Sequence, residues 1–141
     1  MSFFAVIDTN VLVSSLLSKN PDSATRRVVD AVAQGRIIPL YDSAILDEYS
    51  EVLYRSKFPF SKLIILGILQ MIREFGVRVS PGPVQEALPD PDDVVFYAVV
   101  MEKRKTDDAY LVTGNLRHFP CQTYVVTPAE MMAILDAESG E

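Results

Sequence analysis

The chain has 141 residues, 49% apolar and 23% charged, which is a globular composition with length for one domain and a real core. A formal charge of −6 argues against a general-purpose nucleic-acid binder, without excluding an enzyme that gathers its acids around a cation. The single cysteine, Cys121, excludes an internal disulfide and a cysteine-based metal cluster, and its expected role is that of a small hydrophobe beside a strand.

Phe3 to Ile7 is a continuous apolar run that suits a strand buried on both faces. It meets Asp8-Thr9-Asn10 where that strand would end, and open parallel sheets bind ligands at the carboxyl ends of their strands. Asp8 is therefore a candidate for chemistry, with an Asx turn or a helix N-cap as its plain alternative. A short apolar segment, Val11 to Leu17, follows. After the break at Asn20-Pro21-Asp22-Ser23, a helix is predicted from Ala24 to Gln34, with Val28, Val29 and Val32 inward and Gly35 as its stop. Arg26 and Arg27 on that helix are either a solvated face or candidates for phosphate contact.

Ile37 to Tyr41 reads as a second strand, and Pro39 places it at an edge or marks an amide that no neighbour needs. Asp42-Ser43 opens a helix through about Arg55. At 100° per residue Ile45, Leu46, Tyr49, Val52 and Leu53 form one stripe. Asp47 and Glu51 point away from it, and Glu48 lies at its flank, able to look into a cleft while the helix packs on the core. Ser61 caps a helix from Lys62 to Phe75, stopped by Gly76. Its apolar residues cover more than one face, so a partner or a second copy of the chain is expected against it. A short strand, Val77 to Val79, follows.

Prolines hold the next loop extended, and three acids fall within Asp90-Pro91-Asp92-Asp93. Asp92 or Asp93 opens a helix, 94–101, that is apolar nearly all round and hence buried. One acid is enough for a cap, and like charges this close are costly unless something positive offsets them. Lys103-Arg104-Lys105 ends the helix as a dipole-complementing face or as a substrate contact. Tyr110 to Val112 is a second buried-type strand and, like the first, it ends in a polar triplet, Thr113-Gly114-Asn115. His118 is expected to be a surface loop residue. A last strand spans Gln122 to Val126, and a final helix runs from Pro128 to about Leu135. Residues 1–136 are expected to form one domain, with 137–141 a loose tail. The longest apolar-rich run, residues 63–72, is too short to cross a bilayer, and Asp8 sits where a signal peptide would be apolar. A cytoplasmic protein with no membrane association is the expectation.

Strands alternating with helices predict a mostly parallel central sheet with helices on both faces. Adjacent strand ends would bring Asp8 and the Thr113–Asn115 triplet into one site, joined by Glu48 and by Asp93. Carboxylates converging there call for a cation. Hard oxygen ligands without a Cys or His cluster select Mg²⁺ or Mn²⁺ over Zn²⁺.

Four pieces carry a resemblance: Val6-Ile7-Asp8-Thr9-Asn10-Val11-Leu12-Val13-Ser14, Ile45 to Leu53 around Glu48, Asp90-Pro91-Asp92-Asp93 with its apolar helix, and Tyr110 to Asn115. In this order, over nearly the whole chain, they resemble a PIN domain, specifically the prokaryotic branch described as toxins of toxin–antitoxin pairs. The resemblance implies a Rossmann-like three-layer α/β/α fold. It implies a Mg²⁺- or Mn²⁺-dependent ribonuclease acting on single-stranded RNA and a protein antitoxin as partner, while the homodimer is expected from the apolar helix at Lys62 to Phe75. Asp8, Glu48 and Asp93 match the family's acids and would hold the metal, with Asp92 as alternate to Asp93. Asn115 stands where many members have an aspartate, so the site carries one charge fewer. Thr9 and Thr113 would support the site through their hydroxyls, and Asn10 would orient Asp8 or a water. Arg26 and Lys103 are candidates for RNA backbone contact. Two rivals remain: a catalytically weak or inactive domain that kept the fold for binding, and a phosphatase of the haloacid-dehalogenase type. The second requires an Asp where this chain has Asn10.

Overall fold

The computed structural model describes residues 2–139. The elements follow as β1 (Phe3–Ile7), α1 (Thr9–Leu17), α2 (Ala24–Ala33), β2 (Ile37–Tyr41), α3 (Ser43–Leu53), α4 (Lys62–Phe75), β3 (Val77–Arg78), α5 (Val94–Lys103), β4 (Ala109–Val112), β5 (Val125–Val126) and α6 (Pro128–Ser139). The five strands form one sheet in the order β3-β2-β1-β4-β5. Every pairing is parallel, with Phe4 opposite Ile38 on one side of β1 and Ala109 on the other. Helices flank the sheet, the three-layer α/β/α arrangement expected from the alternation of elements.

Burial explains the two uninterrupted apolar strands. Ala5, Val6 and Ile7 of β1, and Leu111 and Val112 of β4, are sealed from solvent, because both faces of the sheet are covered. The chain leaves β1 toward β2 on one side and reaches β4 only after β3, so the strand order reverses between β1 and β4. That is where an open α/β sheet parts its loops and makes a crevice.

The helix ends follow local chemistry. Ser23, Asp42 and Ser61 each accept a hydrogen bond from a backbone amide of the first turn of α2, α3 and α4. Gly35, with φ of 77°, takes the left-handed turn after α2. Thr127 and Glu130 form a reciprocal capping box at the start of α6. That helix runs to Ser139 rather than ending near Leu135, so residues 137–139 of the expected loose tail are helical, and 140–141 lie outside the described residues. Helix α5 is buried nearly all round, as its composition requires. The last strand is shorter than expected, Val125–Val126 in place of Gln122–Val126, because a turn occupies 123–124. Cys121 is exposed and so does not serve as a buried hydrophobe.

Strand β2 lies between β1 and β3, so Pro39 is not at an edge. Its missing amide goes unused for the other reason: the β2–β3 ladder begins only at Leu40, opposite Val77. Beside Pro39 sits Gly76, where a Cβ would collide with the carbonyl oxygens of Ile72 and Pro39. Two backbones meet there with no room for a side chain. Gly67, by contrast, is exposed in mid-α4 with nothing within 4 Å of a would-be Cβ. Two opposite outcomes follow in denaturant unfolding. Gly76→Ala should destabilise by about 1–3 kcal/mol through overpacking. Gly67→Ala should stabilise by about 1 kcal/mol through helix propensity. Equal effects from the two would contradict this packing.

Candidate active site

Among the described residues the buried polar and charged side chains are Asp8, Thr9, Ser15 and Thr113, and three of these four stand at the crevice between β1 and β4. A core is expected to hold buried polar groups only where partners meet them, so their convergence locates the site. Asp8 occupies the N-cap position of α1 but makes no capping bond. Its Oδ2 instead accepts from the Thr113 hydroxyl at 2.7 Å and from Asn10 Nδ2 at 3.1 Å. The plain N-cap alternative for this acid is thus excluded by geometry.

The two polar triplets interlock. Thr113 Oγ1 donates to Asp8 and accepts from the Asn115 amide at 2.9 Å. Asn10 turns its Nδ2 to Asp8 and its Oδ1 to the Gly114 amide at 3.1 Å. Below them the Asp8 amide donates to the Val112 carbonyl at 2.9 Å. Two strand ends, 105 residues apart in sequence, are locked together through one carboxylate.

Glu48 arrives from α3. The stripe Ile45, Tyr49, Val52 and Leu53 is buried, while Asp47 and Glu51 are exposed and Glu48 is intermediate. Tyr49 fixes this pose: its buried hydroxyl donates to the carbonyl of Ile7, the last residue of β1. Burial pushes the Tyr49 phenol far above its ordinary range, so it remains a donor. One residue earlier, Glu48 Oε2 accepts from the Thr9 hydroxyl at 3.3 Å.

Asp93 arrives from the N-terminus of α5, again at an N-cap position without a capping bond. Capping in that loop falls to Asp90, which accepts from the Asp92 amide at 2.9 Å. Asp93 Oδ2 lies 3.1 Å from His118 Nδ1. Asp8, Thr9, Asn10, Glu48, Asp93, Asn115 and His118 line one cleft of about 330 Å³. Asp92, the alternate to Asp93, lines a neighbouring cleft with Asp47, Glu48 and Glu51. A third cleft, of about 400 Å³ against α5, contains Glu102, Arg104 and Lys105, but Lys105 pairs with Glu102 and Arg104 donates to the Ala109 carbonyl.

The three acids share one electrostatic problem. Burial raises the pKa of Asp8, Glu48 and Asp93, and each also feels another carboxylate of the cluster or its rim. For Asp8 the Thr113 hydrogen bond opposes the shift and Asp93 adds to it. For Asp93 the His118 bond opposes it and Glu48 adds to it. These hydrogen bonds do not fully offset the desolvation.

Two of the expected contacts are not brought here. Arg26 donates to the Ser18 carbonyl at 3.4 Å, at the end of α1 remote from Asp8. Lys103 pairs with Asp107 at 3.1 Å and lies 4.3 Å from the Phe4 ring centroid, at the far end of α5 from Asp93. Ten helical residues separate it from the acids by about 15 Å. Its basic run complements the helix dipole instead. Sequence reasoning misses two residues of the cleft. His118 is not simply a surface residue, because a short 3-10 turn, Leu116–His118, carries it back from Asn115 to Asp93. Phe58 lines the same cleft from the α3–α4 loop, where Phe58-Pro59-Phe60 is the available signal.

A family model for the PIN domain matches residues 5–117, and the chain belongs to that family. Its members are generally nucleases and typically use a divalent metal ion. No curated protein matches the chain. The donor set is of the kind a hard cation takes: three carboxylates line one cleft, one of them 7% exposed, and no Lys or Arg lines it with them. Among the described residues no three His, Cys, Asp or Glu stand close enough together to hold a metal ion by themselves.

The raised carboxyls have a consequence for stability. Below the ordinary values of 3.8 for Asp and 4.5 for Glu, folded and unfolded chains are both protonated at these positions. As pH rises through the interval up to the raised folded values, the folded chain holds more protons, and stability is lost. In EDTA, Asp8→Asn should therefore melt above wild type at pH 7, and the difference should vanish below pH 3.8. A wild type that melts higher than Asp8→Asn at pH 7 without metal would contradict the assignment.

Proposed function

We propose that this PIN domain is a metal-dependent endoribonuclease that hydrolyses phosphodiester bonds in single-stranded RNA, and that it serves as the cytoplasmic toxin of a toxin–antitoxin pair. The observation that carries the reading is the convergence of Asp8, Glu48 and Asp93, all pushed toward the neutral form by burial, at the crevice between β1 and β4. Asp8, Glu48 and Asp93 would hold Mg²⁺ or Mn²⁺. When bound, the ion acidifies water and offsets charge on the scissile phosphate.

The chain's own residues prepare that site. Thr113 and Asn10 fix Asp8 so that one oxygen, Oδ2, is engaged and the carboxylate plane is set. Thr9 orients Glu48. Asn115 presents a neutral amide where a fourth carboxylate would add charge, which eases approach of a phosphate and weakens cation affinity. His118 holds Asp93 and leaves that acid's other oxygen for the cleft. No histidine base is required for the hydrolysis.

Labelled single-stranded RNA should be cut with Mg²⁺ or Mn²⁺ and not with EDTA. Asp8→Asn and Glu48→Gln should each lose at least about 100-fold, the scale of removing one preorganised electrostatic group. Mg²⁺ should also raise the wild-type melting temperature by mass action, and Asp8→Asn should abolish that rise. Cleavage that survives both substitutions would reject the site.

The second reading, a catalytically weak or inactive PIN-like binding domain, is favoured by two observations. Asn115 adds no charge, and Asp93 already has a partner in His118. A folded wild type with neither metal-induced stabilisation nor cleavage would select it. The dimer belongs to the same proposal and draws on α4, which leaves Leu63 82%, Ile64 50% and Leu66 48% exposed in its first turns, while Ile65 between them is buried. Sedimentation should show a concentration-dependent dimer that Leu63→Lys disrupts, and a monomer at every concentration would reject it.

A further inference from the structure

The acidic cleft poses a difficulty for its own substrate. The chain carries a formal charge of −6, and Arg26 and Lys103 are tied down away from the acids. Neither of these two cations meets a phosphate at the acids, so a contact that does not depend on charge would add to the affinity there. The cleft has one phenyl wall, Phe58, beside the carboxylates. Phe60 packs against the core, and Phe58 stacks on it with ring centroids 5.2 Å apart and planes 13° from parallel. The underlying ring fixes the plane of the upper one. Lys57, exposed on the same loop, holds its ammonium over the Phe58 ring, 5.2 Å from the centroid, where an arriving base would displace it.

We propose that Phe58 is a stacking platform for one unpaired nucleobase of the substrate, adjoining the scissile phosphate, with Lys57 beside it to meet the neighbouring phosphate. The proposal rests on the nuclease reading and deepens it. A flat ring held by a second ring is preorganised for a base, and stacking on it is indifferent to base identity because every base has a π-face. The platform requires a base free of its helix, so it accounts for action on single strands and not on duplex. Lys57 is a flexible cation that gives way to the base and finds its charge partner on the strand.

The test uses the whole chain and a short single-stranded RNA of mapped cleavage position. The sequence contains no tryptophan, so Phe58→Trp places the sole indole at the platform. Phe58→Leu keeps apolar bulk and removes the π-face. Phe58→Leu should raise KM about 10-fold, the lower range for losing one base stack, and leave kcat near wild type. Phe58→Trp should cut at least as well as wild type, and its emission should be quenched as the oligonucleotide is titrated in EDTA, in step with anisotropy of the labelled strand. An RNA with one abasic nucleotide beside the cut should lose the same factor with wild type and nothing further with Phe58→Leu. Equal melting temperatures confirm that the variants fold. Two results would overturn the platform and leave the nuclease reading standing. One is a wild type that cuts while Phe58→Leu has an unchanged KM. The other is indole emission of the Phe58→Trp variant that stays unmoved while anisotropy reports binding. If wild type neither cuts nor binds RNA, both readings fall together.

Discussion

A carboxylate withdrawn from water at the end of a central strand is the constraint on which the rest of this structure depends. Asp8 is 7% exposed, and the groups that touch it are neutral. Such a group is costly unless hydrogen bonds and a cation compensate. Nearly every specific polar contact at this end of the sheet can be read as a response. Thr113, itself fully buried, reaches across from β4. Asn10 bridges to the Gly114 amide, and Thr113 in turn fixes Asn115. The same bonds that restrain the acid also join the two strand ends at the reversal of strand order.

The helices are placed by the apolar core and aim their acids as a by-product. Tyr49 is sealed in the core and yet returns a hydroxyl to the last carbonyl of β1, which sets the height and rotation of α3. Glu48 precedes it by one residue and so lies 100° around the helix, at the border of core and cleft. Helix α5, apolar on nearly all sides, is driven into the interior, and its N-terminus delivers Asp93 where the helix dipole favours negative charge. Core packing and site assembly are therefore the same event here, and stability given up at the acids is recovered in the layers around them.

Charge is distributed by the same logic. The acids gather at the carboxyl edge of the sheet, while Arg26 and Lys103 serve structural roles at the ends of α1 and α5. The cleft that results is negative and has one aromatic wall.

Much of this was legible in the chain itself. Unbroken apolar strands, a fully apolar helix after an acid pair, and a stripe with Glu48 at its flank dictate a parallel three-layer fold and single out Asp8, Glu48 and the pair Asp92–Asp93, because burial on two faces and a 3.6-residue period leave a direct mark on residue order. The polar triplets after β1 and β4 likewise marked the two strand ends that interlock at one crevice. Which of Asp92 and Asp93 faces the cleft was decided only by the 3-10 turn that Asp90 caps, since a one-residue shift there is invisible to composition. Arg26 and Lys103 read as basic residues on helices, and only tertiary structure showed that those helices carry them away from the acids. His118 and Phe58 come from loops, whose paths follow from turns and long-range contacts and not from periodicity. Sequence thus determined what each element is and which side of it is apolar, and the fold alone decided which loop residues share a cleft, because that depends on distances between segments far apart in the chain.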